Sequence, residues 1–188
     1  MSTSTATTIP GYVTGTWTID PVHSEVGFLV RHMMVSKVRG KFATFSGSIT
    51  TAEDLLGSTV TASVDLTSID TGNEDRDNHI RSADFFDVEA NHTMTFVSTG
   101  ITATGDGFEL AGDLTLKGVT KPVTFDLEVN GFGPDAYGGT RAGFSATTTI
   151  NRRDFGVDFN AVMETGGLVV ADKVTVQLEI EAVLDAAE

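Results

Sequence analysis

Apolar side chains recur at every second position through most of this chain. Val26, Phe28, Val30, His32 and Met34 share one parity, and Glu25, Gly27, Leu29, Arg31 and Met33 share the other. The same alternation returns in Phe45, Gly47 and Ile49, in Val60, Ala62, Val64 and Leu66, and in Met94 and Phe96. It continues from Phe108 to Leu116, from Val123 to Val129, from Ala142 to Ile150 and from Val174 to Ala182. Period two is the mark of a strand with one face turned inward, and period 3.6 is nearly absent, so about eight strands are expected. Gly105-Asp106-Gly107, Lys117 to Pro122 and the Gly/Pro-rich run 131–139 punctuate them, and such short connections join antiparallel neighbours. Two stretches break the rhythm, 72–91 and 152–172. In the first, Asn73 to Phe86 is expected to form a short helix with Ile80, Ala83 and Phe85 inward, plugging one end.

An all-β fold follows: an eight-stranded antiparallel up-and-down barrel over residues 16–184, with one or two short helices closing an end and a flexible N-terminal segment at 1–15. Closure removes exposed sheet edges and leaves an interior wide enough for one slender ligand; a two-sheet sandwich is the rival architecture. The inner parity holds Phe28, Val30, Phe45, Phe96, Leu114, Phe125 and Phe144, the expected lining of an apolar tunnel, with His32 as a polar contact at its end.

Charge narrows the partners. The net charge of -14 would repel phosphate backbones, so nucleic-acid binding is not expected. No cysteine is present, which removes disulfides, thiolate metal sites and thiol nucleophiles. The opening MSTSTATTIPGYVTG carries neither a basic n-region nor an apolar h-region, so a cytoplasmic protein is expected. No run of apolar residues is long enough to span a bilayer as a helix. Against this acidic background, residues 26–52 contain no acid, yet Arg31, Lys37, Arg39 and Lys41 lie within them. Either they ring the barrel mouth beside His32 and attract an anionic head group, or they are solvated partners of the many carboxylates.

Catalytic constellations are weak. Asp20, His23 and Ser24 have the residue types of a hydrolytic triad, but neighbouring strand residues point to opposite faces. Gly143-Phe-Ser-Ala-Thr lacks the second glycine of a nucleophile elbow. Asp75-Arg-Asp-Asn-His-Ile begins like a calcium loop, yet Ile80 stands where glycine is required. His23, His32, His79 and His92 show no metal-ligand spacing. No enzyme activity, cofactor or metal is therefore expected.

Four ordered blocks resemble the YceI-like family of lipocalin-like, polyisoprenoid-binding barrels. They are "WTIDPVHSEVGFLVRHMMVSKVRGKF" at 17–42, "DNHIRSADFFDVEANHTMTFVS" at 77–98, "GDLTLKGVTKPVTFDLEVNGFG" at 112–133 and "INRRDFGVDF" at 150–159. The resemblance implies a carrier or storage protein whose interior takes a long isoprenoid chain, a polyprenyl phosphate or an isoprenoid quinone, with Lys37, Arg39 and Lys41 at the head group. It also implies a homodimer. Many relatives carry an export signal, which this chain does not show. An enzyme acting on an amphiphile, or a stress-related protein without a dedicated ligand, are the alternatives.

Overall fold

A computed structural model describes residues 9–161, 163 and 167–187. Its strands are β1 (Gly15–Ile19), β2 (Glu25–His32), β3 (Ser36–Phe42), β4 (Phe45–Thr51), β5 (Thr59–Asp65), β6 (Ile69–Asp70), β7 (Thr93–Ala103), β8 (Phe108–Leu116), β9 (Val119–Pro134), β10 (Thr140–Asn151) and β11 (Val170–Leu184). The first six are three long strands, each broken once. β1 and β2 lie end to end along β11, β4 and β3 pair with them in turn, and β5 and β6 pair with β4 and β3. β7 to β11 then follow as an unbroken antiparallel meander, and β11 returns to β1, closing the expected eight-stranded barrel.

The breaks lie side by side and are bridged by side chains, because a buried backbone group left without a partner is costly. Pro21, which has no N–H to give a ladder, stands in the first. There Ser24 Oγ accepts from Glu181 N at 2.9 Å and donates to its carbonyl at 3.2 Å. At the second and third, Thr44 N donates to Ser68 Oγ at 3.0 Å and Ala43 N to Ser68 O at 3.1 Å.

The interior is filled unevenly. Towards β1, Trp17, Ile19, Ile49, Ala142, Phe144 and Ala182 form a buried cluster, with Trp17 Nε1 donating to Thr51 Oγ1 at 2.9 Å. Leu55, Ile101, Phe108, Leu110, Phe125 and Ala146 form a second. A third, around Phe42, Val64, Leu66, Ile69, Phe85, Leu114 and Phe155, lies below the strand breaks.

Helix α1 (Glu74–Arg81) is shorter than the expected 73–86. Asn73 caps its start by accepting from Arg76 N at 2.9 Å, and three acids in the first turn suit the helix dipole. Ser82 ends it, so Phe85 turns inward through a loop while Ala83 is exposed, contrary to its expected inward place. β6 pairs only with β3, and β7 begins opposite Asp65 at Thr93. The segment 71–92 covers the gap between them, held by Arg81, which donates to Thr67 O at 2.9 Å and Ile69 O at 3.0 Å.

Two further expectations change. Residues 1–8 of the expected flexible segment 1–15 lie outside the described residues. In the rest, Tyr12 packs edge-on against Phe132 at 5.2 Å and donates to Ala52 O at 2.5 Å, so this part is docked. Met34, expected on the inner parity of β2, lies past the strand end in a turn and is 61% exposed.

Candidate functional site

A cavity of about 480 Å³ opens between β2, β3, the start of β11 and the covering segment. Its walls are apolar: Val26, Phe28 and Val30 from β2, Val38 and Phe42 from β3, Ile80, Phe85 and Phe86 from the covering segment, Val157 and Phe159, and Val170, Val174 and Val176 from β11. Val26, Phe28, Val30 and His32 all enter on one parity, and the cross-strand register puts Phe42, Gly40, Val38 and Ser36 on the same side. Small partners leave room for large ones. A Cβ on Gly40 would collide with the Phe28 ring, which lies over it.

Polar side chains also line the cavity: His32, Thr71, Asp75, Arg76, His79 and Arg152. His79 stands edge-on to Phe85 at 5.1 Å and to Phe159 at 4.9 Å, and its Nε2 is 2.8 Å from Asp84. Arg76 is turned back, donating from Nε to Thr71 Oγ1 and from Nη2 to Thr71 O, each at 2.7 Å. Arg152 is buried. It donates to the carbonyls of Ala171 at 2.9 Å, Val157 at 2.7 Å, Phe159 at 2.8 Å and Val170 at 3.4 Å, tying the irregular 152–160 segment to the start of β11. Its nearest carboxylate, on Asp172, is 3.7 Å away, and burial pushes its pKa below the ordinary arginine value.

Of the residues expected in the tunnel, Phe28, Val30 and His32 are on this wall. Phe45, Phe96, Leu114, Phe125 and Phe144 are not. They pack inside the barrel, Leu114 within the cluster below the strand breaks and Phe125 and Phe144 within the two above, with Phe45 and Phe96 packed against these clusters. Parity assigns a face, but the height along the barrel decides whether that face meets a cavity or other side chains.

Lys37, Arg39 and Lys41 also miss the cavity wall. They face Arg31, Leu29 and Gly27 across the ladder, the parity opposite to Phe28 and Val30, and so belong to the outer surface. Arg31 borders the cavity. Alternation did not reveal the contributions of Ile69, Arg152, Val157 and Phe159, which come from a two-residue strand and an irregular segment. The block "INRRDFGVDF" carries three of those four.

The Asp20, His23 and Ser24 set forms no triad. His23 Nδ1 is 2.8 Å from Asp20 Oδ2, but Ser24 Oγ is engaged with the Glu181 backbone. Asp20 also accepts from Arg141 Nη1 at 2.8 Å, and Arg141 reaches Asp135 at 3.1 Å and Glu181 at 3.3 Å. Arg141 and then His23 hold the Asp20 carboxyl well below the usual carboxylate range. This network knits the β1–β2 break to β10 and β11, away from the cavity. No cluster of three potential metal ligands occurs among the described residues, and none of their helices is long and apolar enough to cross a membrane.

Comparison with known proteins agrees with this architecture. A UPF0312 protein of Staphylococcus epidermidis is 42% identical over 168 residues, covering 88% of this chain and 96% of that one. One from Staphylococcus aureus is 37% identical over 167 residues, 88% and 95%. The crystal structure of Burkholderia cenocepacia BcnA superposes with a TM-score of 0.76 at 24% identity, covering 87% of this chain and 98% of that one. A polyisoprenoid binding domain from Saccharophagus degradans, implicated in plant cell wall breakdown, gives 0.69 at 17% identity, covering 92% and 100%. At these identities the two structures speak for the fold alone. Residues 17–182 match the YceI-like domain, and with relatives of such identity over nearly their whole length, this chain belongs to the YceI-like family.

Proposed function

We propose that this protein binds a long-chain isoprenoid lipid, a polyprenyl phosphate or an isoprenoid quinone, with the chain in the cavity between β2, β3, β11 and the covering segment, and that it acts as a carrier or store. The observation that carries this reading is the cavity itself. Its volume of about 480 Å³ lies within the range of small-molecule sites, and its walls are mainly valine, isoleucine and phenylalanine with a few polar side chains among them. A mostly apolar wall with a few polar groups suits an amphiphile with an apolar tail and a polar end. A protein of the same fold is described as a polyisoprenoid binding domain, and we carry that ligand class over to this chain as part of the proposal. No reaction is assigned, since the residue types of a hydrolytic set are present without being assembled.

Burial of each CH₂ contributes roughly 0.8 kcal/mol against water. An isoprenoid is never free in water, however, and the relevant balance is cavity against bilayer, which is close to even and therefore reversible. That balance suits carriage better than capture.

The test is native purification followed by solvent extraction and mass spectrometry of the bound material, then reloading of the stripped protein with a polyprenyl phosphate and with a quinone. Phe28→Asp should abolish loading of both, because it places an unpaired carboxylate in the cavity wall. Retained loading by a correctly folded Phe28→Asp protein would remove this cavity as the site.

A further inference from the structure

The cavity wall of β2 runs into a hairpin tip whose chemistry the lipid site does not use. Val35 N donates to His32 O at 3.1 Å, and between them Met33 and Met34 both hold positive φ, 52° and 59°. Two consecutive left-handed residues closed by that bond make a type I′ turn, a position that favours Asn-Gly because longer side chains are strained there. Here the turn carries two methionines and a valine, exposed by 41%, 61% and 87%. Leu168, 39% exposed, adjoins them through Val169, whose carbonyl accepts from Met33 N at 2.8 Å. Strained backbone that holds apolar side chains in water points to a partner for them.

Behind this tip, Lys37, Arg39 and Lys41 project from the outer face of β3, with Arg31 beside them at the border of the cavity, and all four are exposed. None of the four forms an ion pair among the described residues. Arg31 and Lys37 stand directly opposite each other across the ladder, a like-charge placement that disfavours the hairpin in isolation. No acid lies between residues 26 and 52, in a chain of net charge -14. The molecule has thus gathered cations without internal partners beside an exposed apolar tip, next to the cavity. An amphipathic surface with an apolar edge and a basic flank fits the interface of an anionic bilayer, where the apolar groups enter the headgroup boundary and the cations meet lipid phosphates.

We propose that the β2–β3 hairpin is a docking surface for an anionic membrane, inserting Met33, Met34 and Val35 and laying Arg31, Lys37, Arg39 and Lys41 against the headgroups. The assignment rests on the lipid-binding reading for its purpose: docking would bring the cavity wall at His32 and Val170 to the bilayer, so that a lipid tail passes between them without crossing water. Weak attachment is expected, since the acidic remainder of the molecule opposes the same surface.

The experiment is cosedimentation of the full chain with vesicles that contain no isoprenoid, either phosphatidylcholine alone or phosphatidylcholine mixed with phosphatidylglycerol. Binding is expected to the mixed vesicles only, and to weaken as salt is added. Replacing Lys37, Arg39 and Lys41 together with Gln should weaken it by roughly fivefold per cation, on the order of a hundredfold in all. Met34→Asn with Val35→Ser should weaken it too, and asparagine accepts the left-handed backbone, so folding is kept. Lys121→Gln, on β9, should leave binding unchanged. No binding to the mixed vesicles at low salt, or equal losses for Lys121→Gln and the triple variant, would overturn the proposal. So would a vesicle-free dimer that needs Met34 and Val35, which would give the tip to a second copy of this chain. Each variant is also loaded with a polyprenyl phosphate delivered from detergent: docking lost with loading kept indicts the tip alone, whereas loading lost in the unaltered protein indicts the cavity.

Discussion

The ring of Phe28 lies across the backbone of its cross-strand partner Gly40, in space that any larger residue would claim. The pair is a lock between strands β2 and β3 in the wall of the cavity. A similar arrangement recurs where Phe96 covers Gly112 between β7 and β8, outside the cavity. In each case a glycine inside a strand lets an aromatic ring lie down instead of standing in the barrel interior.

Gly40→Ala should push the Phe28 ring into the cavity. We expect destabilisation of about 1–3 kcal/mol, as for other overpacked sites, together with reduced lipid loading. Combining it with Phe28→Leu should restore both in part. A double-mutant cycle by denaturant unfolding measures the coupling, and simple additivity would contradict the lock.

The packed and open halves of the barrel should respond differently to truncation. Phe144→Ala, in the Trp17 cluster, should cost about 3–5 kcal/mol of stability and leave lipid loading intact wherever the protein remains folded. Phe28→Ala, half-buried on the cavity wall, should cost less stability and alter loading more. Melting curves and loading assays on the two variants make the comparison.

Arg152 donates to four carbonyls, of which only that of Val170 has a second side-chain donor, Asn160 Nδ2 at 2.7 Å. Arg152→Met should cost about 3 kcal/mol or more, since buried carbonyls lose their donors. Arg152→Lys should rescue little, for an ammonium offers three donors and no planar fork. Hydrogen exchange should quicken at Val157 and at Val169–Val170 before it does so in β8 and β9.

Acid should loosen the molecule at the β1–β2 break. The Asp20 carboxyl is held well below its ordinary value by Arg141 and His23, and Asp135 is lowered chiefly by the backbone N–H groups of Gly139 and Tyr137. A carboxylate with a depressed folded pKa contributes stability above its unfolded value of 3.8 and loses it as pH falls towards the folded value. Thermal melts from about pH 5 downward should therefore show a falling Tm. Asp20→Asn should start lower at neutral pH and fall less steeply. Parallel curves for the two proteins would remove Asp20 from the acid transition.

Much of the fold was legible because alternation is a local consequence of strand geometry. The inner parity of Val26–Phe28–Val30, the run from Phe108 to Leu116 and the long alternation of β11 each require only a period of two, and short glycine turns force antiparallel order. The blocks that resemble the YceI-like family added the ligand class to the expectation. Heights within the barrel were not legible: Phe28 and Phe144 have the same pattern around them, yet one faces the cavity and the other packs in the cluster around Trp17. That difference goes with the aligned breaks at 20–24, 43–44 and 66–68, below which β6 pairs with β3 but not with β7, and with the segment 71–92 that lies between them. The outward place of Lys37, Arg39 and Lys41 was written in their parity, one residue out of step with Val38 and Phe42. What tertiary structure alone decided was where a register of packed side chains leaves empty space, because cavities depend on which distant residues meet at one level, and no local period records that.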